Sequence, residues 1–316
     1  MQRSESTSLS REKGLTFEHI FILGAGAIGS VYGALLSEKN NVMLIGNEAH
    51  VEAIKANGLS IVGDMKRVFH PEATAQVNSI PKRSLVLLTT KAYDSAKAVR
   101  GVKRLLKKDT VILILQNGLG NEDIVRRIVS CQAKVLRGIT KMAAEFSRPG
   151  RIRFWRGKTV IEPDDDSTKI VSIFNASGLE SRLSRDIDAD VWNKLVVNCV
   201  VNPLTAILHI RNCEIWEHSL RNVTNGVVRE CVEVAGAEGI SLPRSLTRRI
   251  DRRVAGSANF SSMHQDIAKG KRTEIDFLNG MIVELGKKHH IATPVNETLV
   301  SLIKFLEGRY GISGKD

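Results

Sequence analysis

Apolar residues fall into two regimes along the chain. Between Glu18 and about Leu183, short β-branched runs alternate with helix-compatible stretches, the order expected of a parallel sheet covered by helices. His19 to Leu23, Asn41 to Ile45, Leu85 to Thr89 and Val111 to Leu115 are the clearest strands. Each is nearly continuous in apolar character, as strands shielded on both faces should be. From Asp186 onward the strand signals stop and helical spacing takes over in Ile187 to His209, Arg221 to Glu238, Glu274 to His289 and Val295 to Glu307. Pro203 and Gly286 lie inside two of these segments, which predicts a kink or an early stop at each. The pattern thus predicts an α/β chain with a parallel-sheet domain over 18–184, an all-helical domain over 185–316 and a polar tail over 1–17.

Composition narrows the class. A chain of 316 residues exceeds what one hydrophobic core usually serves, and 42% hydrophobic with 25% charged residues is ordinary for a globular protein. Cys131, Cys199, Cys213 and Cys231 show no paired spacing, and the polar N-terminus has no apolar leader segment, so a reducing, cytoplasmic setting is expected and no disulfide. The longest apolar stretch, Leu195 to Leu208, is interrupted by Asn198, Asn202 and Pro203 and is too short to cross a bilayer, so no membrane role is expected. The formal charge of +12 favours anionic ligands. The basic residues are dispersed and aromatics make up only 5%, which points to phosphorylated cofactors and carboxylates and away from nucleic acid. No metal-ligand spacing is present.

The first chemistry-bearing motif follows the first strand. Gly24-Ala25-Gly26-Ala27-Ile28-Gly29 closes a strand and opens a helix, the context in which a GxGxxG turn binds a dinucleotide and which makes the domain Rossmann-type. Gly24 permits the tight turn, Gly26 lets backbone amides approach a pyrophosphate, and Gly29 lets helix and strand pack closely. The helix N-terminus then faces the phosphates. The second strand ends at Ile45-Gly46-Asn47, where an NAD site usually carries an acid for the ribose hydroxyls. Asn47 removes repulsion against a 2′-phosphate, which favours NADP, with NAD still open and Lys66 or Arg67 as more distant cations. Lys91, after the third clear strand, and Asn117, after the fourth, could each reach cofactor or substrate.

The second motif is Trp192 to Pro203, in which Lys194, Asn198 and Asn202 recur every fourth position and so share one helix face. Polar groups embedded in an apolar run need partners. With these residues on the page, the chain resembles the ketopantoate reductases (2-dehydropantoate 2-reductases) of coenzyme A precursor synthesis. The resemblance spans Ile20 to about Gly311 and rests on GAGAIGS at Gly24, TTKAYDS at Thr89, LQNGLGNED at Leu115, WNKLVVNCVVNPLTAIL at Trp192 and SSMHQDIAKGKRTEIDFLNG at Ser261. It implies that Lys194 is the general acid and that Asn198 and Asn202 hold substrate oxygens. It further implies that Asn212, Asn259 and Ser262 add polar contacts, Ser262 to the carboxylate, and that Glu274 binds the substrate hydroxyl and sets the lysine's state. Asn47 departs from the basic residue usual at that point in the family. A homodimer joined through the helical domain is expected. The competing readings are a reductase of another 2-oxo acid on the same plan and a non-catalytic dinucleotide sensor.

Overall fold

The computed structural model describes residues 17–243 and 246–309. The predicted tail lies outside the described residues except for Phe17, which packs against the N-terminal core. Twelve strands are described: β1 (His19–Leu23), β2 (Val42–Ile45), β3 (Leu59–Gly63), β4 (Arg67–Phe69), β5 (Glu72–Thr74), β6 (Ser84–Leu88), β7 (Val111–Ile114), β8 (Lys134–Thr140), β9 (Ala143–Arg148), β10 (Arg151–Trp155), β11 (Thr159–Ile161) and β12 (Ser181–Leu183). Eight form one sheet in the order β12-β11-β8-β7-β6-β1-β2-β5. From β5 to β8 every neighbour is parallel, and ranked by chain position these six strands read 3-2-1-4-5-6, the dinucleotide-fold order. β11 then runs antiparallel to β8, so the sheet is mixed at that edge.

The register aligns the functional ends. Leu23 lies beside both Ile45 and Leu88, and Leu88 lies beside Ile114. The carboxyl ends of β2, β1, β6 and β7 therefore form one row, with the order of strands reversing between β1 and β6.

A second sheet, β4-β3-β10-β9, was not expected. It packs its Leu59, Ile61, Ile152 and Phe154 against helix α1 (Ala27–Leu36), so α1 lies between two sheets and nearly all of it is buried. The alternation in Arg151–Trp155 is the period-2 signal of a strand with one wet face.

The remaining helices are α2 (Glu48–Asn57), α3 (Ser95–Val102), α4 (Asn121–Val129), α5 (Asp165–Ala176), α6 (Ile187–Leu208), α7 (Arg221–Ala237), α8 (Leu246–Ala255), α9 (Ser262–Ala268), α10 (Asn279–Lys288) and α11 (Pro294–Arg309). From α6 onward the elements are helical and share their own core, running from Trp192 to Ile303. Helix α6 is 22 residues long, and by length and composition it could cross a membrane; two-thirds of that stretch is buried within the fold.

Helix α6 also continues past Pro203, where a kink or an early stop was expected. Proline lacks the N–H that would bond the Cys199 carbonyl four residues back. Asn279 Nδ2 supplies that bond at 2.9 Å and reaches Asn296 Oδ1 as well, so the Cys199 carbonyl is not left orphaned. Glu274 to His289, expected as one helix, is instead a 3₁₀ turn at Ile275–Phe277 followed by α10.

Candidate active site

The turn after β1 is built by its glycines. Gly24 and Ala25 both donate their N–H to the Ile45 carbonyl, at 3.1 and 2.7 Å, and Gly26 N–H closes back on Gly24 O at 2.7 Å. Gly24 has φ +111°, and a Cβ there would stand 2.5 Å from the Thr90 nitrogen. A Cβ on Gly29 would lie 2.2 Å from Gly24 O and 2.5 Å from Thr89 Oγ1. Gly26 differs from both: it is exposed, and a Cβ on it would meet nothing within 4 Å. Protein packing therefore does not explain that glycine, and its open face is where a dinucleotide would approach. Gly26 is also the N-cap of α1 and supplies no side-chain cap, and the first turn carries no acid. The first-turn amides, among Ala27, Ile28 and Gly29, are thus left for an anion, and the residues fit a dinucleotide pyrophosphate.

At the end of β2, Asn47 caps α2, its Oδ1 accepting from His50 N at 2.9 Å. It remains exposed beside the turn and brings no charge. Arg67 is a poor candidate for a 2′-phosphate. It pairs with Glu38 and lies over the Phe69 ring at 4.8 Å. Glu38 follows the C-terminal end of α1, a helix of about 15 Å at 1.5 Å per residue, and so sits at the opposite end from the turn.

Beyond β6 and β7 the polar residues converge. Gln116 Nε2 donates to Thr90 O, Thr90 Oγ1 and Ser95 Oγ at 2.8–2.9 Å, fastening the two strand ends together. Glu274 is 5% exposed; its Oε1 accepts from Ala92 N at 2.9 Å and its Oε2 from Asn117 Nδ2 at 3.2 Å. Lys91 Nζ bonds Asp266 Oδ2 at 2.5 Å and lies 3.9 Å from Glu274 Oε2. Burial alone would lower the Lys91 pKa, but the charges of Glu274 and Asp266 outweigh it and hold the ammonium above its usual range. Burial raises the Asp266 carboxyl, with Glu274 adding to the rise and Lys91 opposing it.

Helix α6 contributes the lysine and asparagine stripe. Asp186 caps its start, accepting from Ala189 N at 3.0 Å. Lys194 and Asn198 are half-buried and Asn202 is buried. Thr205 prolongs this face, and its Oγ1 meets Ser261 Oγ at 2.7 Å. Ser261 caps α9, so the Asn202 end of the stripe adjoins Ser262, the first residue of α9. One turn further along α9 comes Asp266, which reaches Lys91. Past the end of α6, Asn212 N bonds Asn259 O at 3.1 Å, while Asn212 Oδ1 is a buried acceptor without a hydrogen-bond donor.

The helical half matches the model described as "Ketopantoate reductase PanE/ApbA C terminal" over residues 186–307, and the sheet half matches "Ketopantoate reductase PanE/ApbA" over 20–166. The chain belongs to the ketopantoate reductase family. It is 37% identical over 308 residues to a 2-dehydropantoate 2-reductase of Pyrococcus abyssi, covering 94% of this chain and 99% of that one. A Streptococcus pyogenes protein of the same name is 31% identical, at 90% and 96% coverage. Among solved structures, a PanE/ApbA family ketopantoate reductase from Ralstonia eutropha superposes with TM-score 0.85 at 33% identity, covering 93% of this chain and 99% of that one. A D-mandelate dehydrogenase with NADH and anilino(oxo)acetate has the same TM-score and coverage at 30% identity.

Membership makes the chain a nicotinamide-dependent oxidoreductase. Of the residues read from the sequence, the structure brings Lys91, Asn117 and Glu274 into one cluster, and the Lys194, Asn198 and Asn202 face up to Ser262. Asn212 and Asn259 pair beyond that face, and Asn47 stands apart at β2. Asp266, Gln116 and Ser95 were missed. An acid flanked by the core residues Met263 and Ile267 was a signal for Asp266, since a carboxylate on an apolar face demands a partner. Among the described residues no group of three or more His, Cys, Asp or Glu is placed to hold a metal.

Proposed function

We propose that this chain reduces 2-dehydropantoate to (R)-pantoate, with residues 18–184 holding the cofactor and 185–316 the substrate, in the cytoplasm and as a homodimer. The observation that carries the reading is the convergence of the phosphate turn, the Lys91, Asn117 and Glu274 cluster and α9 at one row of strand ends. A reduced nicotinamide bound there supplies the hydride. Gly24 to Gly29 hold its pyrophosphate through backbone amides, and Lys91 and Asn117 line the path from cofactor to substrate. NADP is favoured over NAD because Asn47 presents no acid against a 2′-phosphate.

Lys194 donates the proton to the ketone oxygen, its ammonium stabilising the negative charge that develops there before transfer. Asn198 and Asn202 donate to substrate oxygens, Ser262 to the carboxylate, and Asn212 and Asn259 shape the far wall. Glu274, already fixed by two donors from the nucleotide domain, accepts from the substrate hydroxyl.

The test is steady-state reduction of ketopantoate with NADPH and NADH in parallel. Turnover faster with NADPH is expected; absence of turnover with both overturns the proposal. A second reading, reduction of another 2-oxo acid, is supported by the D-mandelate dehydrogenase match, which is as good in fold as the Ralstonia one. Phenylglyoxylate in the same assay decides between them, and a higher kcat/KM for it than for ketopantoate would replace the first reading with the second.

A further inference from the structure

Directly behind the phosphate turn lies a buried histidine that the proposed reaction does not use. His50, in the first turn of α2, is 0% exposed, and so is Ser30 on α1. The N–H of Gly150, in the tight turn between β9 and β10, donates to His50 Nδ1 at 3.0 Å. Nδ1 therefore carries the lone pair and the proton sits on Nε2. His50 Nε2 lies 2.9 Å from Ser30 Oγ and so donates to it, which leaves the Ser30 hydroxyl proton to be directed at the Ala25 carbonyl, 3.4 Å away. The imidazole packs against the Phe146 ring at 4.8 Å, and burial lowers its pKa, which suits the neutral form this relay requires.

The relay ends at a peptide that matters. The Ala25–Gly26 unit is planar, so the direction of its carbonyl fixes the direction of its N–H. Ser30 approaches the carbonyl end, and Gly24 O binds the N–H end at 2.7 Å. The orientation of this plane sets the exposed face of Gly26, which no protein atom covers. The Gly150 end joins the second sheet to the same chain of bonds. A Cβ on Gly150 would meet Ala53 Cβ of α2 at 3.2 Å, so the β9–β10 turn is seated closely on that helix.

We propose that His50 is a positioning residue for the dinucleotide: through Ser30 it sets the Ala25–Gly26 peptide against which the pyrophosphate lies. This rests on the reading of the glycine turn as a cofactor site. It also gives the second sheet a task, since Gly150 fixes the tautomer that lets His50 donate forward.

Side-chain geometry allows the two halves of the relay to be cut separately. The amide of Gln reaches the Nε2 position and can still donate to Ser30, whereas Asn reaches only the Nδ1 position and can still accept from Gly150. His50→Gln, His50→Asn and Ser30→Ala are titrated with NADPH and with NADH by nucleotide fluorescence, alongside thermal midpoints. The typical net worth of one hydrogen bond corresponds to about two- to tenfold, so dissociation constants for His50→Asn and Ser30→Ala should rise by about five- to tenfold and for His50→Gln by less than about threefold. His50→Asn and His50→Gln each give up one bond, so their thermal midpoints should fall by similar amounts. With ketopantoate, the KM for the cofactor should follow the dissociation constant while kcat stays near wild type. Equal affinities for the Gln and Asn variants, or affinities that merely follow the thermal midpoints, would overturn the role of His50 alone. A wild-type protein that binds neither dinucleotide would overturn the cofactor site as well.

Discussion

At the scale of single residues, the proposed site contains two lysines. Lys91 faces two carboxylates, and its charge is largely answered within the protein. Lys194 is half-buried on α6. If Lys194 is the proton donor, Lys194→Ala should lower kcat by about 10²- to 10⁴-fold while the NADPH dissociation constant barely moves, which stopped-flow turnover and fluorescence titration together would show. Asn47 offers a second test. An acid at that position accepts from ribose hydroxyls and repels a 2′-phosphate, and Asp caps a helix about as well as Asn. Asn47→Asp should therefore shift the ratio of kcat/KM toward NADH without lowering the thermal midpoint. The glycines, Lys91 and Asn117 were singled out because each stands in a short motif or at a strand end, and Glu274 through the family resemblance. Asp266 was not singled out, because its meaning depends on a lysine 175 residues away in the chain.

At the scale of elements, the sequence pattern predicted the core strands within a residue and α6 to within its last position, since both are governed by local apolar spacing. It failed where a distant side chain decides the outcome. Pro203 signals a break, and α6 continues because Asn279 replaces the missing donor. Asn279→Ala should cost about 1–3 kcal/mol by leaving the buried Cys199 carbonyl unsatisfied. In a Pro203→Ala background the cost should shrink, because Ala restores the N–H, and urea denaturation of the four proteins measures the difference. The second sheet escaped notice because its strands are half-exposed, so polar residues interrupt their apolar runs. Tyr32 ties α1 to the sheet edge through Thr159 Oγ1 at 2.6 Å. Burial pushes its phenol from 10.0 to about 12, so the folded state favours the neutral form. That stabilisation is complete below pH 10 and is lost as pH rises from 10 toward 12. Denaturation midpoints of Tyr32→Phe should fall less steeply than those of wild type across that window.

At the scale of the whole molecule, residues 266–277 lie along the loops that follow β6 and β7. Asp266 bonds Lys91, the Arg272 carbonyl accepts from Tyr93 Oη, Glu274 holds Ala92 and Asn117, and the Phe277 carbonyl accepts from Leu119 N–H. Pattern alone misses both the end of α9 and the 3₁₀ turn in this segment, and it misses the segment's role, because every one of these contacts joins residues far apart in sequence. The same contacts tie the loops after β6 and β7 to the helical part of the chain. If a molecule bound between the strand ends and α6 departs only when this segment swings away, that movement pushes solvent ahead of it. Diffusive drag, instead of bond chemistry, would then limit the cycle: kcat for ketopantoate should decline in proportion to added sucrose viscosity, while a sluggish substrate, held back by hydride transfer, should show no such decline.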